Sequence, residues 1–149
     1  MSYTQLSYHI VIRTHRSGRT LFEAHERDLY GYMFGFNRNH EVVTYRIGGM
    51  PDHVHLLVGL PATLAVSKYV QELKKATSRW LGENPDFPAF EGWTREYAAF
   101  TVSSAARESV TRYIRGQKEH HRAVPLEEEL RRLLAENHVV YKEEYFMKD

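Results

Sequence analysis

Cysteine is absent from all 149 residues. That excludes disulfides and thiolate metal sites, and it suits a cytoplasmic protein. No apolar run approaches the roughly 20 residues needed to cross a bilayer, and no signal-peptide pattern opens the chain. A Walker-type glycine loop is also missing, so nothing points to ATP as an energy source. Charge of one sign is lacking too: 20 Lys and Arg stand against 19 Asp and Glu, so the total names no partner. There is no low-complexity tract, internal repeat or linker. With 42% hydrophobic residues, the composition fits one globular domain over residues 1–149.

What is present alternates between two periods. YTQLSYHIVIRT reads as a first strand, and the basic loop HRSGRT follows it. From Leu21 to Asn37 the period is helical, with Leu21, Leu29, Tyr32, Met33 and Phe36 on one face. EVVTYRIGGM gives a second strand, Pro51-Asp52 a turn and HVHLLVGL a third strand. Pro61-Ala62-Thr63 opens a second helix, where Val66, Val70, Leu73, Thr77, Trp80 and Leu81 recur near every 3.6 residues as core positions. WTREYAAFTVS is the last strand. Ser103 or Ser104 caps a third helix running through Tyr113 to His121, and LEEELRRLLAEN is a fourth. The order β-α-β-β-α-β plus C-terminal helices predicts an α+β, ferredoxin-like antiparallel sheet with helices on one face.

Side chains alternate across a strand, so Val54, Leu56, Val58 and Leu60 share the face packed on the helices. His53 and His55 fall on the opposite face, which this reading leaves uncovered. Two imidazoles side by side there can reach one metal ion. With nine histidines, about half a His-x-His pair is expected by chance, so the pair alone decides little. A third donor is also needed. Tyr113 and Gln117, four apart, share one face of the third helix. Ordinary amphipathic packing explains each of them separately. Together with the histidines they supply a nucleophile and an amide oxygen.

Those residues carry a resemblance. His53-Val54-His55, with YHIVIRT, MPDHVHLLVGLP, LKKATSRWL, YAAFTVS and YIRGQKEHHR, resembles the single-tyrosine HUH transposases of bacterial insertion sequences and their REP-associated relatives. EEELRRLLAENHVVYKEEY is similar to that family's C-terminal segment, and the likeness runs through nearly the whole chain in order. It implies that His53, His55 and Gln117 ligate a divalent cation and that Tyr113 is the nucleophile; two histidines plus an amide oxygen suit Mg²⁺ or Mn²⁺, and Zn²⁺ stays open although no cysteine favours it. It further implies single-stranded DNA with hairpins at the element ends, cut through a 5′-phosphotyrosine, and a homodimer whose tyrosine helices can serve each other's metal sites. Under that reading Lys68, Lys75, Arg79, Arg112 and Arg115 track phosphates, and Trp93 or Tyr97 can stack on bases. Gly116, beside the tyrosine, departs from the helix former expected there, and two readings of it stay open, a hinge or neutral drift. Two other readings stay open: a DNA- or RNA-hairpin-binding module that does not cleave, and a phosphodiesterase that uses water.

Overall fold

The computed structural model describes residues 2–149. Its four strands are β1 (Ser7–Thr14), β2 (Val43–Met50), β3 (His53–Gly59) and β4 (Trp93–Val102), ordered β2-β3-β1-β4 with every neighbouring pair antiparallel. Helix α1 (Glu26–Asn39) joins β1 to β2, and α2 (Val66–Gly82) joins β3 to β4. After β4 come α3 (Arg107–Arg115), α4 (Gln117–His120) and α5 (Leu126–Glu136). This is the α+β sheet that the order of periods predicts. No helix among the described residues is long and apolar enough to cross a membrane.

One sheet face is apolar by alternation. Ile10 and Ile12 of β1 lie opposite Leu56 and Val54 of β3, and all four are fully buried. They meet Leu29 and Met33 of α1 and Tyr69, Val70, Leu73 and Leu81 of α2 in one cluster. Thr77 joins this face by donating its hydroxyl to the Leu73 carbonyl and accepting from the Trp93 indole, which makes Trp93 a packing residue. Lys74 is held by the carbonyls of Thr94, Arg95 and Glu96.

The structure corrects several sequence-based expectations, among them the start of the second helix, which lies at Val66 and not at Pro61. The first strand begins at Ser7 and not Tyr3, because its neighbours end there: Ser7 pairs with Gly59 on one side and Val102 on the other. The first helix begins at Glu26 and not Leu21, whose N–H is committed to the Pro51 carbonyl (2.9 Å). The largest correction concerns the second sheet face, which is not uncovered. Ile114 of α3 packs on Leu57 and Val102, and Leu133 of α5 packs on Val11 and Phe100. His53 and His55 consequently have no exposed surface.

Candidate active site

Close approach of α3 to the sheet rests on one missing side chain. Gly48 of β2 lies opposite His55, and a Cβ there would come within 3.0 Å of both the side chain and the carbonyl oxygen of Ile114. Glycine removes that obstacle. The α3 helix is introduced by Ser103, whose hydroxyl accepts from the Ala106 N–H, and it settles on its own sheet. The tyrosine therefore reaches the histidines of the same chain, although nothing in the sequence pattern requires it. The helix expected to run on to His121 breaks at Gly116 (φ −85°, ψ 10°). A Cβ at Gly116 would meet only ordinary contacts, so sterics do not demand glycine there.

Four segments converge below that break. His53 Nε2 lies 3.0 Å from Gln117 Oε1 and 3.3 Å from Glu129 Oε1. His55 Nε2 is 3.2 Å, and His121 Nε2 3.0 Å, from that same Glu129 oxygen. The other carboxylate oxygen accepts from Tyr113 Oη and from Gln117 Nε2 (2.8 Å). Behind the ligand pair, His53 Nδ1 donates to Asp52 (2.7 Å), and His55 Nδ1 shares a 2.7 Å hydrogen bond with His9 Nε2. Such partners fix ring orientation, and here they turn both Nε2 atoms toward one point.

The electrostatics follow from these contacts. Burial opposes a charge on His53, but its hydrogen bonds to Asp52 and Glu129 outweigh that and carry its pKa up to about 9. Burial dominates at His55 and His9, which fall to about 4 and about 3. Burial would also raise Glu129, yet the three imidazoles hold it well below the usual carboxylate range. Burial and the hydrogen bond to Glu129 push the Tyr113 phenol above its ordinary value. Charged His53 therefore donates through both nitrogens, while neutral His55 donates to Glu129 and accepts from His9.

The donor set suits a divalent cation. Ligand atoms of His53, His55, His121 and Glu129 all lie within 4.8 Å of one another, and the Gln117 oxygen adjoins them. Imidazole nitrogens mixed with a carboxylate and an amide oxygen are borderline ligands, matched to Mn²⁺ better than to Mg²⁺.

The structure thus brings His53, His55, Tyr113 and Gln117 together. Glu129, His121, His9 and Asp52 were missed by the sequence reading. One signal was available for Glu129: in LEEELRRLL it alone of the three glutamates falls on the buried stripe with Leu126 and Leu133. The basic residues divide. Arg112 and Arg115 are exposed on α3 beside the tyrosine, whereas Lys68, Lys75 and Arg79 are exposed on α2, which packs on the opposite sheet face. Tyr97 is 40% exposed.

Comparison with known proteins points the same way. Residues 2–117 match the family model described as "Transposase IS200 like". The ISDra2 transposase TnpA of Deinococcus radiodurans is 32% identical over 87 residues, 52% of this chain and 57% of that protein, so the match spans little more than half of the relative's length. Two solved structures share the fold. One is a candidate transposase of Deinococcus radiodurans (TM-score 0.59, 24% identity, 78% of this chain and 93% of that one). The other is a REP-associated tyrosine transposase bound to a REP hairpin (TM-score 0.62, 15% identity, 83% and 73%). The matched family segment runs from before β1 through Gln117, and the chain belongs to the IS200-like transposases.

Proposed function

We propose that the chain, working as one domain in the cytoplasm, cuts and rejoins single-stranded DNA at insertion-sequence ends bearing hairpins, through a 5′-phosphotyrosine on Tyr113. The observation that carries this reading is the single buried cluster in which Tyr113 and Gln117 meet His53 and His55 across Glu129. His53, His55 and Gln117 hold the divalent cation, Mg²⁺ or Mn²⁺, with His121 and Glu129 beside them. When bound, the cation supplies positive charge to the scissile phosphate in an in-line displacement.

The chain's own residues supply the rest. Asp52 and His9 lock the two imidazoles. Glu129 orients the phenol and accepts its hydrogen bond. In the transfer the Oη–P bond forms as the P–O3′ bond breaks. The phenol proton passes to water, and the departing 3′ oxygen takes a proton from water. The phosphodiester's free energy stays in the tyrosine ester, so rejoining needs no ATP.

The protein acts as a homodimer, with one site for each DNA end. That Tyr113 reaches the histidines of its own chain supports a site built in cis within each protomer. Arg112 and Arg115 flank the nucleophile and track the single strand. Lys68, Lys75 and Arg79, on the far face, bind duplex phosphates of the hairpin stem if the DNA wraps the sheet edge.

The test uses single-stranded DNA from the flanks of the chain's own gene with Mn²⁺. Wild-type protein should form a covalent adduct visible on denaturing gels, and Tyr113→Phe should form none while still binding hairpins. Hairpin binding without any wild-type adduct would leave a non-cleaving binding module. Normal cleavage by Tyr113→Phe would leave a water-using phosphodiesterase.

A further inference from the structure

Tyr113 has a second polar neighbour that the cluster above does not use. Arg132, one turn beyond Glu129 on α5, donates from Nη2 to the phenolic oxygen at 3.2 Å, with its guanidinium 5.7 Å from the tyrosine ring centroid. Two side chains of one helix thus address the same oxygen, a carboxylate from the buried side and a guanidinium from the open side. The open side is a cavity of about 480 Å³ between α3 and α5, with His9, Phe100, Ser109, Tyr113, Arg132 and Asn137 among its lining residues. That volume lies within the range of about 300–1,000 Å³ usual for small-ligand sites. Among the described residues the only carboxylate paired with Arg132 is Glu136, at 3.6 Å, and both side chains are exposed (45% and 61%). A pair of that kind holds little energy, so the guanidinium is free to exchange its partner. Its planar fork matches two oxygens of a phosphate.

We propose that this cavity receives the deoxynucleotide carrying the scissile phosphate, and that Arg132 is a catalytic residue that grips a non-bridging phosphate oxygen beside Tyr113 Oη. The inference rests on the transesterification reading and assigns it a substrate subsite. Arg132 neither gains nor loses a proton. It balances charge on the phosphate as the Oη–P bond forms and the P–O3′ bond breaks, the phenol proton passing to water and the 3′ oxygen protonated by water. Preorganised donors of this kind typically supply a factor of about 10² to 10³ in rate.

The experiment has two arms. In the first, adduct formation on gene-flank single-stranded DNA is timed for wild type, Arg132→Ala, Arg132→Lys and Arg122→Ala, the last an exposed arginine away from the cavity. Arg132→Ala should slow the adduct about 100-fold. Guanidinium ion at millimolar concentration should restore at least about tenfold of that loss, and Arg132→Lys should fall between; a misfolded variant would show no such rescue. Arg122→Ala should match wild type. In the second arm, thymidine 5′-monophosphate is titrated into Tyr113→Phe protein with and without Arg132→Ala, where binding should weaken about tenfold. Adduct formation by Arg132→Ala within twofold of wild type, absence of guanidinium rescue, or unchanged nucleotide affinity overturns the assignment. If wild type forms no adduct yet nucleotide binding depends on Arg132, the subsite stands and transesterification falls.

Discussion

The two faces of the same sheet are built on opposite rules. Toward α1 and α2, Ile10, Ile12, Val54, Leu56 and Val58 form a dry layer whose members are interchangeable in chemistry and differ only in shape. Toward α3, α4 and α5, the alternate residues of the same two strands set His9, Arg13, His53 and His55 among the apolar Val11 and Leu57, and each of the four polar side chains is tied to a partner distant in sequence. The first face derives its stability from area removed from water, which is non-directional. The second depends on satisfied hydrogen bonds between buried charges, where loss of one partner strands the others. Stability and chemistry are thus segregated by a rotation of half a pleat.

The sharpest break in that comparison comes from the polar face. His53→Ala or His55→Ala should abolish cation binding by calorimetry and abolish adduct formation. Because both rings are buried and donate to Glu129, each should also cost about 3–5 kcal/mol of stability. Unchanged stability in both variants would mean that the carboxylate does not depend on its imidazole partners.

Leu56→Ala makes the matching break on the apolar face. It should cost about 2–5 kcal/mol in urea unfolding. Well below its unfolding midpoint it should leave the cation affinity within about twofold of wild type. A large loss of cation affinity in the folded variant would show that the faces are coupled.

Gly48→Ala tests the contact that joins the polar face to its helix. A Cβ within 3.0 Å of the Ile114 carbonyl must push α3 outward. Overpacking of this kind costs about 1–3 kcal/mol. Displacement of Tyr113 should slow adduct formation about tenfold with cation affinity less affected. Wild-type kinetics would dissociate α3 placement from the chemistry.

A pH series sharpens the polar face further. The cation must displace the His53 Nε2 proton, and that group titrates at about 9 in the metal-free protein. Apparent affinity for Mn²⁺ should therefore fall about tenfold per unit as pH drops below 9, with the neutral His55 contributing no further slope until about 4. A flat affinity between pH 9 and 7 would show that His53 Nε2 carries no proton to lose.

The smallest expected effects lie at the surface. Arg112→Ala and Arg115→Ala should each reduce the salt dependence of single-strand binding by about 0.7 in log–log slope. Lys68→Ala, Lys75→Ala and Arg79→Ala should leave that slope unchanged and lower only the affinity for hairpin DNA. Equal effects on both substrates would place the single strand along α2 as well.

Much of this was legible in the sequence because it repeats. Alternation in HVHLLVG separates Val54, Leu56 and Val58 from His53 and His55 by strand geometry alone. The 3.6-residue period likewise aligns Tyr113 with Gln117. Strand order and the family motif follow from the same one-dimensional pattern, and so does the apolar core. Glu129, His121, His9 and Asp52 obey no such period across the site. They come from α5, the segment after α4, β1 and the turn before β3: His9 meets His55 through the β1–β3 pairing and Asp52 adjoins His53 in sequence, whereas Glu129 and His121 join the site only when α3 and α5 close over the second sheet face. Closure depends on space at Gly48, on Leu133 finding Val11 and Phe100, and on a buried carboxylate finding three imidazoles. Local pattern assigns a side chain to a face, whereas only packing in three dimensions decides which distant charge it will neutralise.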